Sequence, residues 1–226
     1  HVFIDPDPYA AKMWDERKRM FDLPRSSWED YDKSLVSKGG GIFPRTLKEI
    51  GLSPEMKALT GLTDDKATPA ELMKALLKAP VDLLWFGGIG TYVKSSAQTN
   101  LEVGDRANDA IRVNGSDIRA KVVGEGANLG CTQLGRIEYA LAGGRINTDA
   151  IDNSAGVDTS DHEVNLKILF SGPMRRGEVT QASRDDMLTA MTDDVAEHVR
   201  ADNYDQTLAL SVAQARASNG LDAYGR

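Results

Sequence analysis

Short β-prone runs alternate with well-marked helix starts, and this alternation constrains the fold more than any other feature of the chain. "VDLLWF" (Val81 to Phe86) is the clearest run: it follows Pro80, is too short for a helix and ends at Gly87-Gly88. Upstream, Ser53-Pro54-Glu55 and Thr68-Pro69-Ala70-Glu71 each set a capping hydroxyl before a proline, which marks a first helical turn. Val2 to Ile4 ends at Asp5-Pro6-Asp7-Pro8, with a helical pattern over Tyr9 to Leu23. Lys121 to Val123 runs into the turn "GEGAN", and a helical pattern covers "CTQLGRIEYALAGG". Strands separated by helices predict an α/β fold: a Rossmann-like, mostly parallel sheet flanked by helices on both faces.

Between these anchors the signals are weaker. Ser27 caps a second predicted helix that ends before Gly39-Gly40-Gly41, and "GGIGTYVKSS" reads as loop. "GDRANDAIRVNGSDIR" reads as loop with a short helix, and "RINTDAIDNSAG" as a short strand and turn that leaves Asn153 just past a strand. The last third is purely helical, with a break expected near Asn203, and Gly172-Pro173 marks a boundary. The predicted division is therefore 1–172 and a C-terminal helical extension, 173–226.

Composition excludes several classes. Lys and Arg number 27 against 34 Asp and Glu, a net charge of -7, so neither nucleic acid nor an anionic membrane is an expected partner. No run approaches the roughly 20 apolar residues of a spanning helix. Cys131 is the sole cysteine, which excludes an internal disulfide and a multi-cysteine metal site and fits a reducing, cytoplasmic setting. His1, His162 and His198 lack ligand spacing, so no metal is expected. The opening "HVFIDPDPYA" has neither initiator methionine nor leader and reads as a segment of a longer protein.

Several residues carry candidate chemistry. Asp5 can accept ribose hydroxyls, or it can simply open the Asp-Pro turn. Glycines in "FGGIGTY" would let a flat ligand approach the backbone, but the G-x-G-x-x-G pattern is missing. Glu125 is either an acid/base or a turn-holding acceptor, and Asn128 offers a donor and an acceptor to a ribose or carboxamide. Cys131 reads as a small buried hydrophobe. Ser160 and Glu163 share a helix face, Asp158 to Glu163 also reads as a solvated helix start, and His162 between carboxylates reads as a surface histidine.

In order along the chain, "AKVVGEGANLGCTQ" and "NSAGVDTSDHE" resemble the E-G-A-N and N-A-G-G-V-x-x-S-x-x-E stretches of glutamate dehydrogenases. "HVFIDPDP", "LPRSSWEDYD", "KGGGIFPR", "LLWFGGIGTYVKSS" and "DRANDAIRV" extend the resemblance, over almost the whole chain, to the large bacterial NAD-specific enzymes. The resemblance implies oxidative deamination of L-glutamate to 2-oxoglutarate and ammonia, with NAD as cofactor. It implies that residues 1–172 are a partial coenzyme domain without the first Gly-rich strand-turn. Asp5 resembles the adenosine-ribose acceptor, Gly87 and Gly88 would line the coenzyme, and Asn128 and Asn153 would contact the nicotinamide ribose and amide. Ser160 resembles the serine on the substrate's side-chain carboxylate. One departure is Asn153-Ser154-Ala155-Gly156 where Asn-Ala-Gly-Gly is usual.

The family's catalytic lysine and aspartate belong to a substrate domain, so no catalytic residue is expected here. The remainder of the parent chain is an expected partner, the parent is expected to be a homo-oligomer, and the fragment alone is expected to be inactive. Two alternatives stand beside this reading: a branched-chain or aromatic amino-acid dehydrogenase, disfavoured by the polar Ser160, and a non-catalytic regulatory or assembly module on a degenerate nucleotide fold.

Overall fold

The computed structural model describes residues 1–224. It divides into two compact units: 1–124 with 129–146, and 125–128 with 147 onward.

The first unit is mixed α/β. Strand β1 (Val2–Ile4) pairs antiparallel with β2 (Gly41–Phe43). Between them, α1 (Ala10–Asp22) buries Met13, Glu16 and Met20, a spacing that places all three on one helix face. The helix predicted after Ser27 is instead two 3-10 turns, Trp28–Asp30 and Lys33–Leu35. Ser27 and Asp32 each cap a turn within a few residues, which leaves no run for α-helical propagation. Trp28 stacks on Phe3 with ring centroids 4.8 Å apart.

A second antiparallel pair, β3 (Ile50–Gly51) with β4 (Lys66–Ala67), brackets α2 (Pro54–Thr60). Helix α3 (Pro69–Leu77) follows, with the Thr68–Glu71 capping box that its sequence announces. Strand β5 (Leu83–Phe86) then joins a three-stranded sheet in the order β5-β8-β9, where β8 is Val122–Glu125 and β9 is Arg145–Ile146. Strands β8 and β9 are parallel. The apolar run of β5 predicts burial on both sides. However, Leu83 and Trp85 are each 55% exposed, while Phe86 is 5% exposed, so alternate side chains leave one face of this strand uncovered.

Two elements arise in stretches that read as loop. Strand β6 (Val93–Lys94) pairs parallel with β7 (Val113–Asn114), and α4 (Asn100–Val103) lies between them. Side-chain bonds hold this region. The buried Arg112 guanidinium donates to the carbonyl oxygens of Thr91 (2.8 Å) and Asp105 (2.5 Å), to Asn100 Oδ1 (3.0 Å) and to Asp109. Helix α5 (Gln133–Leu141) packs on β6 so closely that a Cβ on Gly135 would sit 2.7 Å from the Lys94 carbonyl carbon. From α5, Glu138 accepts hydrogen bonds from Ser95 Oγ (2.7 Å), Ser96 N (2.7 Å) and Ser116 N (2.8 Å). Burial pushes the Glu138 carboxyl up, but its bonds to Ser95, Ser116 and Ser96 outweigh that and hold it down to about 2.

The second unit is helical: α6 (Asp149–Asp152), α7 (Ser154–Arg175), α8 (Gln181–Ala190) and α9 (Thr192–Tyr224). Phe170 of α7 and Val199 of α9 are buried. Asn153 therefore follows a helix, not a strand, and Gly156 is helical. Gly172-Pro173 does not end α7; Pro173 falls in its last turn, where little helix follows to be disrupted. Nor does α9 break at Asn203. That side chain donates to the Val199 carbonyl at 2.7 Å, the preceding turn, and accepts from Ser154 Oγ at 2.6 Å. The interruption comes earlier, between α8 and α9. No helix among the described residues is long and apolar enough to cross a membrane.

Candidate functional site

The strand-end turn and the α6–α7 junction meet within the second unit. Glu125, fully buried, closes β8, and its backbone N–H donates to Asp152 Oδ2 at 3.0 Å. The other oxygen of Asp152 accepts from Asn147 Nδ2 at 3.1 Å. Asp152 thereby fixes the start of "EGAN" to the end of α6, and this brings the next two candidates together. Asn153 Nδ2 donates to Asn128 Oδ1 at 2.6 Å.

Both asparagines line a cleft of about 420 Å³ with Ser154, Asp149, Asp158 and Asp161. The bond between them uses one donor and one acceptor. Asn128 Nδ2 and Asn153 Oδ1 have no hydrogen-bond partner among the described residues. A primary carboxamide has the complementary pair, a carbonyl oxygen and an N–H. The cleft carries three carboxylates and no lysine or arginine, so it favours a cationic or neutral polar group over a phosphate.

Ser160 lies on α7 and is exposed, but it does not line this cleft. Asp149, Asp158 and Asp161 do, although sequence reasoning assigned them no role. The charge run Asp158 to Glu163 was the available signal, and it reads equally well as a solvated helix start.

The remaining candidates belong to the first unit. Asp5 Oδ1 accepts from the Ser37 backbone N–H at 3.0 Å, which accounts for a turn-holding role. Its Oδ2 is buried and unpartnered among the described residues. Gly87 and Gly88 are exposed beyond β5. A Cβ on Gly88 would meet nothing within 4 Å, and one on Gly87 only the Trp85 indole at 3.6 Å. Packing requires neither glycine. Gly90 differs: its φ is +140°, and a Cβ would lie 2.7 Å from Tyr92 Oη. Cys131 is buried, as a small hydrophobe would be.

The structure also joins two histidines that the sequence keeps far apart. His162 of α7 and His198 of α9 stack with ring centroids 6.1 Å apart.

Residues 1–213 match the family model described as bacterial NAD-glutamate dehydrogenase, catalytic domain. Over 226 residues the chain is 58% identical to a Pseudomonas aeruginosa protein and 54% identical to one from Halomonas elongata. It is 52% identical over 230 aligned positions to a Mycobacterium tuberculosis protein. All three bear the name NAD-specific glutamate dehydrogenase, and the matches cover 99–100% of this chain but only 14% of each relative. The chain belongs to the bacterial NAD-glutamate dehydrogenase family, matching its catalytic domain.

Proposed function

We propose that this chain supplies part of the coenzyme site of an NAD-dependent glutamate dehydrogenase that converts L-glutamate to 2-oxoglutarate and ammonia. The observation that carries this reading is the Asn153–Asn128 pair on one cleft, with an open donor and an open acceptor that match a carboxamide. When bound, NAD would supply the acceptor for the hydride of the glutamate Cα. Asn153 and Asn128 orient the nicotinamide end by its amide and ribose. Asp5 takes ribose hydroxyls through its unpartnered oxygen, and an anion there disfavours a 2′-phosphate. The unobstructed backbone at Gly87 and Gly88 admits the coenzyme closely. Ser160 donates its hydroxyl to the substrate's side-chain carboxylate. On this reading 1–172 serves the coenzyme, the later helices complete the unit, the parent works in the cytoplasm, and catalytic groups come from elsewhere in it.

The full-length protein tests this with NAD and either L-glutamate or L-leucine. Glutamate is the expected substrate, and Ser160→Ala should lower its kcat/KM about tenfold, roughly 1.4 kcal/mol. Preference for leucine would favour the branched-chain reading. Lack of turnover with either by folded protein would favour a non-catalytic module.

A further inference from the structure

The helical unit contains a second cluster, which shares only Asp158 with the lining of the coenzyme cleft. Asp158 and His162 are four apart on α7, and His198 and Asp202 are four apart on α9, so each pair shares a helix face. The faces meet. One donor atom each from Asp158, His162 and Asp202 all lie within 4.8 Å of one another. Around a tetrahedral zinc with bonds of about 2.1 Å, donors stand about 3.4 Å apart, so a modest rotamer closure converts this triangle into a ligand set.

A separate observation points the same way. Asp158 Oδ2 is buried and has no hydrogen-bond partner among the described residues, while Oδ1 lies 3.5 Å from His162 Nε2. A buried carboxylate oxygen without a donor is destabilising, and a cation would satisfy it. Asp202 is exposed and leaves a way in from solvent. The Ser154–Asn203 bond ties the same two helices nearby and limits what closure must order.

We propose that Asp158, His162 and Asp202 bind a divalent transition-metal ion of the zinc type, which clamps α7 to α9. Imidazole with carboxylates suits zinc better than magnesium or calcium, which prefer all-oxygen shells. His198 stacks on His162 outside this triangle, and water would complete the shell. Asp158 borders the coenzyme cleft as well, but zinc binding can be read without coenzyme present. The competing arrangement is a metal-free one, with His162 Nε2 facing Asp158 Oδ1 at 3.5 Å.

The test uses chelator-treated full-length protein and zinc alone, counted by equilibrium dialysis. Wild type should bind one equivalent more than His162→Gln or Asp202→Asn, or bind that equivalent at least about tenfold more tightly. Glu163→Gln, on the same helix outside the cluster, should match wild type. Equal zinc binding by wild type and both cluster variants would overturn the site. If those variants fail to fold, wild-type protein decides through diethyl pyrocarbonate labelling read by mass spectrometry. Zinc should protect His162 while His1 stays reactive, whereas His162 labelling unchanged by zinc overturns the proposal in favour of the metal-free arrangement.

Discussion

Asn153 and Asn128 are joined by a 2.6 Å side-chain hydrogen bond although 25 positions separate them in the chain. Their meeting depends on Asp152, whose carboxylate holds the backbone at Glu125 and the Asn147 amide. A strand-end turn and a helix junction thus present one donor and one acceptor to a single cleft.

The carboxylates of that cleft should make it prefer oxidised coenzyme, because NAD⁺ carries a positive nicotinamide and NADH does not. One exposed charge about 8 Å away contributes on the order of 0.5 kcal/mol in water, roughly a twofold change in affinity. Asp161→Asn in the full-length protein should therefore shrink the NAD⁺/NADH affinity ratio about twofold. Calorimetric titration with each coenzyme measures this, and an unchanged ratio would separate Asp161 from the nicotinamide end.

Gly135 and Gly88 should respond in opposite ways to alanine. A Cβ on Gly135 meets the Lys94 backbone at 2.7–3.1 Å, so Gly135→Ala should lower stability by about 1–3 kcal/mol. Gly88→Ala meets nothing within 4 Å and should leave stability unchanged to about 0.5 kcal/mol. Any rise in KM for NAD in that variant would then report on the ligand. Denaturant unfolding and steady-state kinetics on the two proteins check both halves.

Glu138 and Glu16 should make the fold acid-sensitive. Glu138 is held at about 2 against an ordinary 4.5 by its serine-side donors; Glu16 is also held at about 2, chiefly by Arg19 and despite its burial. Each folded value is depressed, so each group's stabilisation is fully present above about pH 4.5 and is lost as pH falls toward 2. Glu138→Gln should lower stability at neutral pH by about 1–2 kcal/mol and flatten the acid loss. Thermal unfolding followed from pH 7 to 2 would reveal an unaltered slope if the Glu138 hydrogen bonds carry no such weight.

Much of the first unit is legible because its signals are local. Proline and hydroxyl starts announce α2 and α3, and a compact apolar run announces β5. The misread stretches depend on distant partners. β6 and β7 are two-residue strands that exist through each other and through Arg112, a guanidinium whose acceptors span Thr91 to Asp109. The helix at Asn203 survives because Ser154 on another helix occupies its side chain. The site divides likewise. Asn128 and Asn153 were visible as residue types next to breaks in structure, whereas the carboxylates around them and the His162–His198 stack arise only from helix packing.

Glutamate-dependent NADH formation by the full-length protein, compared for wild type, Asn128→Ala and Asn153→Ala, tests the central claim most directly. Each variant should lose about tenfold or more in kcat/KM for NAD, roughly 1.4 kcal/mol, and the double variant should lose less than the sum because the two amides act as a pair. Wild-type turnover with both single variants unimpaired would contradict the assignment of this cleft to the coenzyme. A folded wild-type protein with no glutamate-dependent NADH formation would contradict the reaction itself.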